Sequence, residues 1–310
     1  MRTRAASRGS FRDEDVAKAF SMRENYKGML DSHILPRWGQ QALSSFKGVE
    51  VEKWLRNLTR ADGKPASPAS KAKIRNVMSA VFAHAIRNGW AANNPIKTVR
   101  TSAQRLQDPE ILTPEEVRDL LEELEPREKT MVLLAASTGL RRGELIALRW
   151  RDLDLDSGTA FITKSVFRNV EGDTKTRASR KPIPLPARVV EELKAWRESS
   201  MYKGDDDYLF PSIAQNGERP ISPDMILRRH IRPALERLGV KKKIGWHSFR
   251  HGFSNLLRES EVDIKVAQEL LRHANSRITM EIYQQTVTEE RRQAQALAFK
   301  RLLDGTEPVS

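Results

Sequence analysis

The stretch Thr138-Gly139-Leu140-Arg141-Arg142-Gly143-Glu144-Leu145 puts a glycine at the end of one helical pattern and two arginines at the start of the next. Backbone N–H groups and the helix dipole at such a start favour an anion, so an arginine there is placed to clamp a phosphate. Read alone, the pair is equally a surface pair with Glu144 as its ion-pair partner. Working backwards, residues 128–137 are apolar nearly all round, which predicts a buried helix. Before them Thr113, Pro114 and Glu116 spell a capping box with proline at the first helical position, opening a helix that turns Val117, Leu120, Leu121 and Leu124 inward.

Working forwards, the texture changes at Leu153 to short alternating runs. Asp156-Ser157-Gly158 reads as a turn, and residues 159–166 and 181–185 read as strands of a small antiparallel sheet. Lys175 falls in or beside the connection before the last strand. Beyond Pro186 the spacing predicts helices over 187–200, 223–238, 247–259, 264–271, 277–284 and 289–303. In Trp246-His247-Ser248-Phe249-Arg250-His251, His247 and Arg250 stand three apart and leave one helix face, a base near neutral pH beside a fork matched to two phosphate oxygens. As an isolated pair they are equally a backbone-bonded histidine beside a surface arginine. His273 ends another helical pattern, and Tyr283 lies ten residues later in an apolar setting that by itself suits a core tyrosine.

The first hundred residues have a different character. Ser67 as N-cap, Pro68 at the first helical position and Gly89 at the end bound a helix whose apolar stripe is Ile74, Val77, Met78, Val81, Phe82, Ala85 and Ile86. With weaker patterns over 11–30 and 49–58, this predicts a small all-helical domain, its solvent face carrying Lys64, Lys71, Lys73 and Arg75. After Asn94-Pro95 a polar, basic, aperiodic segment runs through Pro109 and reads as a linker. The chain of 310 residues is long enough for two cores.

With 54 Lys+Arg against 41 Asp+Glu, a net charge of +13 draws the chain to a polyanion, nucleic acid first. The absence of cysteine excludes disulfides, a cysteine nucleophile and thiolate metal sites. No stretch approaches the roughly 18 consecutive apolar residues of a membrane span, and the basic, small start through Ser10 lacks the apolar core of a signal peptide. A soluble, cytoplasmic protein is expected.

In order and spacing these pieces resemble the signature of the tyrosine recombinase (phage integrase) family. Thr138-Gly139-Leu140-Arg141 with Glu144 is similar to the family's first box, His247-x-x-Arg250 to its second, Leu271-Arg272-His273 to its third, and Tyr283 to its nucleophile. Thr174-Lys175-Thr176 ahead of Arg180 to Leu185 resembles the sheet segment that carries the family's lysine. Two departures stand out. Arg272 occupies a position that is usually glycine, and Ser248-Phe249 replaces the common aspartate and leucine. The resemblance selects Arg141 over Arg142, which periodicity does not.

The resemblance implies a mainly α fold with a small antiparallel β-sheet: a helical core-binding domain over 1–97, a linker over 98–110 and an α+β catalytic domain over 111–310 ending in a tail helix. It implies a site-specific recombinase that cleaves and rejoins double-stranded DNA through a 3′-phosphotyrosyl link. The implied catalytic set is Arg141, Lys175, His247, Arg250, His273 and the nucleophile Tyr283, with Glu144 orienting an arginine. No metal or nucleotide is required, because the covalent link keeps the bond energy. The partners implied are duplex DNA and further copies of the chain, as a tetramer on paired sites, with accessory DNA-bending proteins left open. The stretch before Phe11 is too short for an arm-binding domain, so a simple recombination site is expected. The rival readings are a type IB topoisomerase and a non-catalytic helical DNA-binding regulator; the latter leaves five ordered motif pieces unexplained. DNA target and reaction direction are not legible.

Overall fold

The computed structural model describes residues 20–101, 109–174 and 182–272. The chain divides into two units, Met1–Asp108 and Pro109–Ser310.

In the first unit α1 (Phe20–Met29) passes through a π turn (Leu30–Ile34) into α2 (Leu35–Trp38), so the helical path continues beyond the expected end at residue 30. Pro36 explains the wide turn. Its ring would clash with the carbonyl four residues back in a regular helix, and instead the Leu35 amide reaches five back to Leu30 O. Then follow α3 (Gly48–Arg56) and α4 (Pro68–Arg87), the latter capped by Ser67 Oγ, which accepts from the Ser70 amide at 3.1 Å. Trp38, Phe46, Val51 and Leu55 form the core with Ile74, Val77, Met78, Phe82 and Ala85 of α4. The expected stripe departs at its end. Val81 is only half-buried and Ile86 is exposed, while His84 is buried with its ring 5.6 Å from that of Trp90. The reason is the fold-back after Gly89 (φ +69°), where the Trp90 amide donates to Ala85 O and brings the indole over His84. Val99 is still buried in this core, and the Arg100 amide donates to Glu52 Oε2 at 3.0 Å.

In the second unit the capping box forms as read. The Thr113 amide donates to Glu116 Oε2 at 2.7 Å and the Glu116 amide to Thr113 Oγ1 at 3.2 Å, starting α5 (Pro114–Glu122). The apolar α6 (Pro126–Thr138) is the central helix, with α8 (Ala187–Ser199) and α11 (Trp246–Glu259) packed on it. Met131, Val132, Leu134, Trp150, Leu193, Phe210, Ile231 and Phe249 belong to one buried cluster.

The strands are more broken than the sequence suggested. β1 (Leu153–Asp154), β2 (Thr159–Ala160) and β5 (Ile183–Pro184) form an antiparallel three-stranded sheet, and β3 (Lys164–Phe167) pairs with β4 (Val170–Asp173) in a separate hairpin. The run 159–166 is therefore split between two sheets. A two-residue turn, Arg168-Asn169, both with positive φ, reverses the chain after Phe167.

The expected helix 223–238 resolves into α9 (Pro223–Ile226), a second π turn (Leu227–Ile231) and α10 (Arg232–Arg237), where Pro233 repeats the arrangement seen at Pro36. α7 (Arg142–Leu145) and α12 (Ile264–Leu270) complete the described elements. No helix among the described residues is long and apolar enough to cross a membrane. The helices expected over 277–284 and 289–303 lie outside the described residues.

Candidate active site

α6 ends at Gly139, whose φ of +60° returns the chain sharply toward α7. A Cβ here would also stand 2.8 Å from Phe253 Cδ1 and 3.2 Å from Leu271 Cδ2, so both conformation and space demand glycine. Leu140 is buried, and Arg141, in extended conformation, caps α7. Its amide donates to Glu144 Oε2 at 3.0 Å, its Nη1 to Glu144 Oε1 at 2.8 Å, and its Nη2 to the Arg272 carbonyl at 3.3 Å. Arg142 turns away, its Nη1 bonded to both carboxylate oxygens of the exposed Asp224 at 2.9 and 3.0 Å. A Cβ on Gly143 would lie 2.6 Å from Ser165 Oγ and 2.7 Å from Val166 O, so the β3 strand lies directly against α7.

α11 begins where Trp246 Nε1 donates to Pro223 O at 2.8 Å. Arg250, one turn on, is only 6% exposed, and its fork spans two helix ends: Nη1 donates to Gly139 O and Nη2 to Leu271 O. Two of its five N–H donors are thus spent on backbone. Burial, reinforced by the positive charge of Arg141, pushes its pKa down to about 9, so the guanidinium stays charged at neutral pH. His247 sits exposed in the first turn of α11, with its ring 6.2 Å from that of His251.

α12 ends at Arg272, whose side chain is fully buried and donates from Nη2 to Glu144 Oε2 at 2.8 Å. Glu144 is itself 3% exposed. Burial alone would raise its carboxyl, but the charges of Arg272 and Arg141 and the bonds from Arg141 hold it below the ordinary value. Three guanidiniums therefore gather about one buried carboxylate, a cluster with excess positive charge in a low-dielectric setting. Such a cluster suits an anion.

The hairpin beside it is tethered at β4. Tyr208 Oη donates to Glu171 Oε2 at 3.0 Å, Arg149 Nη2 donates to the same oxygen at 3.2 Å, and the Arg149 guanidinium lies 4.1 Å from the Tyr208 ring centroid. Lys164 is engaged with Asp173 across the hairpin at 3.0 Å.

The structure thus brings Arg141, Glu144 and Arg250 together, with His247 starting the helix that carries Arg250. Lys175, His273 and Tyr283 lie outside the described residues. Arg272 joins the cluster although its sequence context gave no sign of burial: an arginine after Leu270-Leu271 at a helix end reads as a solvated cap.

Residues 110–290 match the Phage integrase family. The chain is 27% identical over 283 residues to a tyrosine recombinase XerC-like protein of Caldanaerobacter subterraneus subsp. tengcongensis, covering 81% of this chain and 70% of the relative. It is 31% identical over 241 residues to tyrosine recombinase XerA of Thermococcus kodakarensis, covering 70% of this chain and 79% of that one. In fold it resembles the Tn1549 transposon integrase solved in complex with transposon right end DNA, with a TM-score of 0.77 and 19% identity over 98% of this chain and all of the other. A family match across more than half of the sequence, with a relative of this identity and coverage, shows that the chain belongs to the phage integrase family of tyrosine recombinases.

Proposed function

We propose that this site-specific DNA recombinase performs its chemistry at the Arg141–Glu144–Arg250 cluster, completed by Lys175, His247, His273 and Tyr283. The observation that carries the reading is the convergence of two guanidiniums, one of them buried, on the end of α12, where Arg250 donates to the Leu271 carbonyl and Arg141 to the Arg272 carbonyl. A phosphodiester is anionic and resists an oxygen nucleophile until its charge is neutralised in a preorganised site. Arg141 and Arg250 would take the non-bridging oxygens, His273 would add a hydrogen bond, and Glu144 would hold Arg141 in place.

The Tyr283 oxygen attacks phosphorus, the bond from phosphorus to the 5′ oxygen breaks, and Lys175 supplies that oxygen with its proton. His247 accepts the phenolic proton as general base. Attack by a 5′ hydroxyl on the 3′-phosphotyrosyl bond then rejoins the strand and frees the tyrosine.

In this reading residues 1–97 are the core-binding domain, 98–110 the linker and 111–310 the catalytic domain. The cleft lined by Arg75 and Lys97 of that domain and Arg100 of the linker supports phosphate contact by the first unit. We assign the protein to the cytoplasm and to a tetramer on paired sites, with the tail docked on a neighbouring copy.

The test is adduct trapping on duplexes of randomised sequence, each nicked near a fixed position so that the short released strand diffuses away. The wild-type protein is expected to become covalently joined to DNA and Tyr283→Phe to bind without joining; a Phe variant that still forms adduct removes Tyr283 from its role. Lys175→Ala is expected to lose cleavage of ordinary DNA and to regain it where sulfur replaces the bridging 5′ oxygen, because a thiolate leaves without a proton. Failure of that rescue withdraws the assignment of Lys175.

A further inference from the structure

Arg272 combines two features that folding alone disfavours. Its φ of +51° is a left-handed conformation that suits glycine or asparagine, adopted as its amide donates to Glu269 O at 3.0 Å and closes α12. Its side chain is fully buried, yet among the described residues Nε and Nη1 find no hydrogen-bond partner. Nη2 donates to Glu144 Oε2, while the residue's carbonyl accepts from Arg141 Nη2. A helix terminus needing only a left-handed residue would be served better by glycine. A buried cation needing only stability would have its donors satisfied.

We propose that Arg272 is a positioning residue for DNA cleavage, acting through Glu144 on Arg141. The Glu144 carboxylate is shared: Oε1 takes the Arg141 guanidinium, and Oε2 takes Arg272 together with the Arg141 amide. Because Arg272 draws on the same negative charge, Arg141 is held in direction without being neutralised, and it keeps positive potential for the phosphate. The groups that act on Glu144 are Arg141 from its own turn, Arg272 from the end of α12 and Arg250 from α11. The inference rests on Arg141 as a phosphate ligand.

The nicked duplex that wild-type protein selects in adduct trapping serves as the probe, and an absence of wild-type adduct would defeat the functional reading, not this one. Arg272→Met is expected to slow single-turnover adduct formation on the order of tenfold, less than loss of a direct donor, with DNA affinity unchanged within about twofold. Arg272→Lys, which returns the charge, is expected to recover part of the rate. In a Glu144→Gln background, Arg272→Met is expected to cause no further loss, because the route through the carboxylate is already cut. Should Arg272→Met fail to melt cooperatively, Arg272→Gly replaces it, since glycine accepts the left-handed backbone. A neutral variant that cleaves at the wild-type rate, equal losses in the Met and Lys variants, or losses that multiply with Glu144→Gln would each overturn the proposal.

Discussion

The ends of α6 and α12 are built alike and occupied differently. Each closes on a left-handed residue, Gly139 at φ +60° and Arg272 at +51°, and each offers a terminal carbonyl, Gly139 O or Leu271 O, to the same Arg250 fork. At α6 there is no room for a side chain, because Phe253 and Leu271 press on the glycine. At α12 the side chain has a buried place beside Glu144. The geometry of a helix end therefore fixes the backbone conformation, and the surrounding packing decides whether that position can also carry a charge.

Removing the shared fork is the most damaging way to break this pairing. Arg250→Ala is expected to lower adduct formation by about a hundredfold or more. It is also expected to cost about 2 kcal/mol in urea denaturation, because two helix-end carbonyls lose their donor. A variant that cleaves normally would show that the bridge is only structural.

The two ends are compared directly by Gly139→Ala and Arg272→Gly. Gly139→Ala is expected to destabilise by about 2 kcal/mol, from the left-handed φ and the contact with Phe253 together. Arg272→Gly is expected to destabilise less, since Glu144 keeps Arg141, the excess of positive charge falls and the backbone is relieved. Urea midpoints in the reverse order would mean that Arg272 is retained for stability.

Acid offers a gentler probe of the carboxylate that both arginines share. The folded pKa of Glu144 lies below its ordinary value of 4.5. Its contribution is therefore complete above that pH and lost as pH falls through the lower folded value. The stability gap between wild type and Glu144→Gln is expected to narrow below about pH 4.5 in urea titrations; a constant gap would mean the carboxylate is not held ionised. The smallest effect belongs to Arg142→Ala. Its exposed pair with Asp224 contributes about 0.5 kcal/mol or less, and adduct formation is expected to change less than about twofold, against on the order of a hundredfold for Arg141→Ala.

Much of this was legible where the controlling interactions are local. The capping box at Thr113 and Glu116, the Ser67-Pro68 start and the glycine turn at Gly139 each depend on residues within one helical turn, and each formed as read. The order of the motif pieces likewise needed only chain position, and it led to the family and to DNA. The first helix was expected to stop at residue 30 and instead runs on to Trp38 through a π turn that absorbs the clash at Pro36, while the helix expected over 223–238 keeps its path past Pro233 by the same device.

Other decisions belonged to tertiary structure alone. Arg141 and Arg142 are neighbours of one chemical type, and only the packing of the Gly139 turn against α11 and the end of α12 sends one toward Glu144 and the other toward Asp224. The run after Thr159 divides between two sheets because β3 lies against Gly143 while β2 pairs with β5. Arg272 reaches Glu144 across 128 positions of sequence. No local pattern encodes such a pairing, since it arises only when folding has removed both charges from water and left each as the other's nearest compensation.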